Sequence, residues 1–224
     1  MSFNIAIDGP AGAGKSTIAR QLAHRLGFIY VDTGAMYRAM AYYLLKKEIA
    51  PEDLEKMQEA CGDADITIIY EQGEQQVLLN GENVTSHLRE ERVGNMASVS
   101  SALPAVRKKL TQLQKKLAAS ADVVMDGRDI GTAVLPDAQV KIYLTAGTDV
   151  RARRRYDELK KKGMKSDLSA IEKDIEERDY RDMHREIAPL CQAEDAVLVD
   201  TSGMDIETVL NTVLNICEEK KQNL

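Results

Sequence analysis

Tryptophan is absent from this chain of 224 residues, phenylalanine occurs twice and cysteine three times. So few of these aromatics make stacking platforms for single-stranded nucleic acid scarce. Cys61, Cys191 and Cys217 are odd in number and widely spaced, which excludes a disulfide framework and a cysteine metal cluster. His24, His87 and His184 lack partners at metal-ligand spacing and are read as non-catalytic. Net positive charge is missing too. Lys and Arg number 30 against 36 Asp and Glu, a balance of −6, and a dedicated nucleic-acid binder is disfavoured. No uninterrupted apolar run approaches the ~20 residues of a membrane span. No charged segment followed by an apolar run and a cleavage site opens the chain, so a cytoplasmic protein is expected. With 44% hydrophobic residues the composition is that of an ordinary globular protein, long enough for one α/β domain with inserted lobes.

Against those absences stands one strong motif. Gly9-Pro10-Ala11-Gly12-Ala13-Gly14-Lys15-Ser16 fits the phosphate-cradling P-loop, G-x-x-x-x-G-K-[ST]. An apolar, β-branched run from Phe3 to Asp8 precedes it. Ile18, Leu22 and Leu26 follow at helical spacing, just beyond Thr17. The motif thus lies where its mechanism needs it, between a strand and a helix. Main-chain N–H groups and the helix N-terminus hold phosphate oxygens there. Lys15 would add charge near the β- and γ-phosphates, and the Ser16 hydroxyl would ligate Mg²⁺. Asp8 could reach that ion from the second shell. Asp32 could do so as well, or cap a turn.

The rest of the chain alternates strand and helix. A second strand is predicted at 28–31, followed by Asp32-Thr33-Gly34 with Thr33 placed to cap a helix over 35–47. A short helix is expected to start near Pro51. The period then changes to two. Residues 65–70 and 75–79 alternate, with turn signals at 72–74 and 80–82, which predicts an antiparallel β-meander of about three strands inserted between helices. It is a candidate substrate-side lobe or a surface decoration. Pro104 divides the next helical stretch in two and should start the second helix, on which Lys108, Lys109, Lys115 and Lys116 form a solvated face. Further strands are predicted at 122–126, 140–144 and 196–199, a loop at 131–136, helices at 150–162 and 168–187, and a last helix capped by Asp205 with Ile206, Val209, Leu210, Val213, Leu214 and Cys217 on one face. The fold class is therefore α/β, a five-stranded parallel sheet with helices on both faces. Ligands of such sheets sit beyond the carboxyl ends of the strands, where residues 9–16, 32–34 and 127–129 should converge.

A GTPase reading lacks its N-K-x-D stretch, and a motor ATPase reading lacks an acidic pair after an apolar strand. Asp126 ends such a strand, but Gly127-Arg128-Asp129 follows. Arginine is the recurring element: Arg38, Arg107, Arg128, Arg178, Arg181 and Arg185, with Arg151, Arg153, Arg154 and Arg155 close together on one helix. Any one of them could be a surface residue. Together they suit two phosphate-bearing ligands, since arginine pairs with phosphate bidentately and stabilises charge in phosphoryl transfer. Local cations must then overcome the repulsion of an acidic chain within a Debye length of about 8–10 Å.

Five blocks carry a resemblance: IDGPAGAGKST at the P-loop, DTGAMYR at 32–38, NMASVSSALPAVR at 95–107, DGRDIGTAVLPDAQVKIYLTA at 126–146 and ERDYRDMHREIAPL at 177–190. In this order they resemble the bacterial cytidylate (CMP) kinase family across nearly the whole chain. Thr33 stands where serine is also common in that family. The resemblance implies transfer of the γ-phosphoryl of Mg·ATP to CMP or dCMP, within the P-loop kinase fold, by a monomer. It implies a core at 1–34, 104–147 and 190–224. A monophosphate-binding lobe would occupy 35–103 with the β insert at 65–85, and a helical lid with its flanking helices 148–189. It places Arg38 and Arg128 on the CMP phosphate, with Arg185 shared between base and phosphate. Ser98, Arg107 and Asp129 would read cytosine, Arg178 and Asp182 would bind the ribose, and Thr33 would lie in the same site. Among lid arginines it points first to Arg154. Lys15, Arg128, Arg154 and Arg185 are then the catalytic candidates. Two alternatives stay open: another small-molecule P-loop kinase of AMP, UMP or shikimate type, and an ATP-binding sensor without turnover.

Overall fold

The computed structural model describes residues 2–222. The chain divides into two compact units, residues 1–30 with 122–224 and residues 31–121.

The first unit is built on parallel strands. In chain order its elements are β1 (Asn4–Asp8), α1 (Lys15–Leu26), β2 (Ile29–Asp32, where the chain passes to the second unit), β6 (Val123–Asp126), β7 (Val140–Thr145), α6 (Thr148–Lys161), α7 (Leu168–His184), β8 (Val197–Asp200) and α8 (Ile206–Gln222). The five-stranded sheet has the order β2-β6-β1-β7-β8. β1 is central, with Ile5 beside Val124 on one flank and Val140 on the other. The chain leaves β1 toward β2 on one side and leaves the neighbouring β7 toward β8 on the other, so the carboxyl ends of β1 and β7 flank the switch point where such sheets bind ligands. The strands are predicted from short apolar runs, and their burial explains those runs: Ile5, Ala6, Ile7, Val124 and Leu144 are fully inaccessible. α1 and α8 contribute Ile18, Leu22, Val209, Leu210, Val213 and Cys217 to the same core. Each fully buried Val or Leu of that set stabilises by about 1.5–3 kcal/mol. Cys217 is a core thiol, pushed up to about 12 by burial. Ile206, expected on the buried stripe of α8, is exposed, because it sits in the first turn, immediately after the Asp205 that accepts from Thr208 N.

The second unit contains α2 (Thr33–Lys46), α3 (Leu54–Ala60), β3 (Ile66–Glu71), β4 (Glu74–Leu79), β5 (Glu82–Asn83), α4 (Glu91–Ser100) and α5 (Pro104–Ser120). The inserted meander is a separate three-stranded antiparallel sheet, β3-β4-β5, as the alternation predicts. Its turns carry φ values of 53° at Gln72 and 81° at Gly73, and of 49° at Asn80 and 82° at Gly81, the two-residue hairpin pattern. Pro104 opens α5 as expected. Four local expectations are corrected. Asp32 caps α2 rather than Thr33, its carboxylate accepting from Ala35 N at 2.9 Å; Thr33 is the first helical residue and is buried. Pro51 lies in a turn before α3, and Asp53 is the cap. Lys109 is not part of a solvated face, since its ammonium donates to the carbonyls of Cys61 and Gly62. In the first unit, residues 130–134 form a wide π turn instead of an open loop.

Candidate active site

The P-loop leaves β1 through Gly9, whose φ is 145°. A Cβ there would stand 1.9 Å from the Leu144 carbonyl oxygen, so no other residue lets the loop cross β7 so closely. α1 begins at Lys15, after Gly14 in the left-handed region. The Lys15 side chain is buried and donates to Pro10 O at 2.7 Å. Burial, then the charge of Arg128, push its ammonium well below the ordinary lysine value, while Asp126 and Asp8 pull it back up. Ser16 donates its hydroxyl to Asp126 Oδ2 at 2.9 Å, and Tyr30 donates to Asp126 Oδ1 at 2.8 Å. Asp8 accepts from Ile130 N and Gly131 N at 2.8 and 2.7 Å. Those two bonds lower its pKa, but burial wins and raises it to about 6. Both Asp8 oxygens thereby hold the π turn that follows Asp129.

Beyond β6, arginines and carboxylates interlock. Arg128 Nε donates to Asp182 Oδ2 at 2.9 Å, and an Arg185 guanidinium nitrogen to Asp129 Oδ1 at 3.1 Å. All four side chains are largely buried. Burial pushes the Asp182 carboxyl up, but Arg128, Arg178 and Arg185 together hold it below the ordinary carboxylate range. Arg185 Nε also donates to Ala188 O at 2.8 Å, and Ala188 adopts φ 48°, uncommon for a residue with a Cβ. Backbone strain of this kind gathers at functional sites. The structure thus brings Lys15, Arg128, Asp129, Asp182 and Arg185 together in the first unit with the P-loop, and Arg178 close enough for its charge to act on Lys15 and Asp182.

Arg151 and Arg154 of α6 reach partners outside their helix within the same unit. Arg151 donates to Ala146 O, Ala11 O and Thr148 Oγ1 and forms a buried ion pair with Asp179. Asp179 in turn accepts from Ala11 N at 3.3 Å. Gly12 packs against Arg151, where a Cβ would lie 3.3 Å from the Arg151 Cβ. The pair thus brackets the P-loop at Ala11 and Gly12. Arg154 donates to Thr201 Oγ1 and Thr201 O, at 3.1 and 2.7 Å.

In the second unit the helix-capping Asp32 also holds Arg38, whose guanidinium donates to both carboxylate oxygens, at 3.0 Å to the nearer. Arg38 Nε is buried without a hydrogen-bond partner, and so is the Ser98 hydroxyl. Arg107 is buried, donates to Ser101 O at 3.2 Å and stacks over the Tyr37 ring at 5.7 Å.

Four residues in this arrangement escaped the sequence reading of sites. Asp126 had a signal, the acidic end of an apolar strand. Asp179 and Arg151 lie in the motif block and the basic helix but carried no mark that separates them from their neighbours. Gln75, described below, had none. Among the described residues no group of three or more His, Cys, Asp or Glu side chains could hold a metal, and no helix is long and apolar enough to cross a membrane.

The comparison with known proteins decides the family. A family model for cytidylate kinases matches residues 5–219. The chain belongs to the cytidylate kinase family. A cytidylate kinase of Ligilactobacillus salivarius is 50% identical over 218 residues, covering 97% of each chain. One from Caldicellulosiruptor saccharolyticus is 50% identical over 214 residues, covering 96% of this chain and 95% of the relative. Among solved structures, a gluconokinase from Sinorhizobium meliloti aligns with a TM-score of 0.50 at 15% identity, over 99% of this chain and 94% of its own. That last likeness concerns the P-loop kinase fold alone.

Proposed function

We propose that the protein transfers the γ-phosphoryl group of Mg·ATP to CMP, and to dCMP, by direct in-line displacement. Family membership supports the substrate class, and one observation carries the site: the Asp129–Arg185 and Arg128–Asp182 pairs stand in the same unit as the P-loop Lys15. Residues 9–17 hold ATP in this reading. Lys15 is disfavoured as a cation in its buried setting, and the triphosphate's negative charge offsets that cost. Ser16 Oγ and the Asp126 carboxylate form an all-oxygen donor set, the kind Mg²⁺ takes alongside phosphates. Held there, Mg²⁺ would supply charge neutralisation at the phosphates; Asp8 adds negative charge beside Lys15.

Arg38, Arg128 and Arg185 hold the CMP phosphate, whose oxygen is already a nucleophile, so no covalent enzyme intermediate is needed. Asp129 accepts from the cytosine N4 amino group; uracil presents a carbonyl there and is repelled. Ser98 and Arg107 complete base reading, Arg178 and Asp182 take the ribose hydroxyls, and Thr33 lies in the same set. Catalysis is positioning plus charge stabilisation, with α6 and α7 as a lid that excludes water and Arg154 as its transition-state cation. The lobes proceed as core 1–34, 104–147 and 190–224, monophosphate lobe 35–103 and lid 148–189. The protein works as a cytoplasmic monomer. An ADP-release assay across CMP, dCMP, UMP, AMP and shikimate tests the reading. CMP and dCMP should be preferred; equal or faster turnover of AMP would sink it.

A further inference from the structure

The antiparallel insert reaches the residues at the start of α2 through the Gln75 side chain. Gln75, on β4, accepts from Asp32 N through Oε1 at 2.8 Å and donates from Nε2 to Asp32 O at 3.2 Å. A primary amide has the donor and acceptor needed to clamp both polar groups of one main-chain residue. That residue is the one whose carboxylate caps α2 through Ala35 N and holds the Arg38 guanidinium. Gly34 leaves room for the arrangement: a Cβ there would stand 2.9 Å from an Arg38 guanidinium nitrogen and 3.1 Å from Asp32 Oδ1. Gln75 is itself fixed by register, opposite Tyr70 in the β3–β4 ladder. The Asp32 side chain needs its backbone held, since it ties the guanidinium to the start of α2, and Arg38 Nε is left buried and open among the described residues.

We propose that the insert is a positioning device for the acceptor-phosphate arginine: Gln75 fixes Asp32, and Asp32 aims Arg38. The inference rests on the CMP reading for its kinetic consequence, but not for its structural one. An amide side chain at position 75 is then required, whereas a passive surface lobe would place no demand there. The carboxamide's two bonds are each modest on their own. Their effect on function comes from geometry, since a small misplacement of a clamping arginine costs rate out of proportion to the bond lost.

The experiment uses the full-length protein with Gln75→Ala and Gln75→Glu. Amide hydrogen exchange at Asp32 needs no substrate. Protection should fall about tenfold in Gln75→Ala and be retained in Gln75→Glu, which keeps the acceptor for Asp32 N. In kinetics, Gln75→Ala should raise the KM for CMP about tenfold and leave the KM for ATP within about twofold. Gln75→Glu, unable to donate to Asp32 O, should fall between. In an Arg38→Ala background, Gln75→Ala should add less than about twofold to the loss of kcat/KM, because the residue through which it acts is gone. Unchanged exchange at Asp32, equal rises in both KM values, or full additivity with Arg38→Ala would each overturn the proposal. Failure of the wild type to phosphorylate CMP would overturn the functional reading instead, leaving the exchange result to decide the role of Gln75.

Discussion

The candidate site residues of the two units are held differently. In the first, charges close on one another: Arg128 on Asp182, Arg185 on Asp129, Arg151 on Asp179, the Ser16 hydroxyl on Asp126. In the second, Asp32 holds Arg38, whose Nε is left bare among the described residues together with the Ser98 hydroxyl. A buried polar atom without a partner costs roughly 1–3 kcal/mol, so such atoms persist where a ligand repays them. A buried pair costs desolvation but keeps its geometry whether or not a ligand is present. The first unit therefore has a preorganised machinery, and the second has vacant donors and acceptors suited to recognition.

Variants in the two units should separate along that line. The largest effect is expected at Lys15. Lys15→Ala should lower kcat about 10³-fold, the scale for removing a charged group from phosphoryl transfer, without abolishing CMP binding measured by calorimetry. Next comes the bracket on the P-loop. Asp179→Ala leaves Arg151 buried without its carboxylate and frees Ala11 N, and should cost about 3–5 kcal/mol in denaturant unfolding while raising the KM for ATP more than that for CMP. Equal rises would show that the bracket is only structural. Ser98→Ala, by contrast, should change stability by less than about 1 kcal/mol and raise the KM for CMP several-fold, the behaviour of an atom waiting for a ligand.

The smallest effect concerns pH. Asp8 has a folded pKa of about 6 against about 3.9 in an unfolded chain. The native state therefore binds this proton more readily than the unfolded one between those values, and the Asp8 contribution to stability falls as pH rises from about 4 to about 6. In unfolding titrations Asp8→Asn should lose that negative slope. A slope preserved in the variant would assign it to other carboxylates.

Much of the fold is legible in the residues because its signals are local. The period-2 alternation at 65–79 specifies the meander, Pro104 marks the start of α5, and the run before Gly9 marks β1. Errors arise where two polar neighbours compete for one role. Asp32 and Thr33 both suit a helix cap, and only the helix's first turn shows that the carboxylate takes it. The site is legible in part for the same reason. Arg128 and Asp129 follow the end of β6, and so their place beside the P-loop follows from the strand ends, whereas Asp182 and Arg185 lie in a motif block on and just after α7. Their pairing does not, because Asp129 and Arg185 are joined across 56 residues by side-chain geometry. Gln75 is the extreme case. It meets Asp32 across 43 residues, and its position on an alternating strand makes it indistinguishable from a solvent-facing glutamine.

In the proposed reading Asp129, held by Arg185, reads the acceptor base while the P-loop serves ATP independently. Steady-state kinetics of Asp129→Ala with CMP and ATP varied in turn tests it most directly. kcat/KM for CMP should fall about 100-fold or more, with the KM for ATP within about threefold of wild type. Unchanged turnover of CMP in that variant would contradict it.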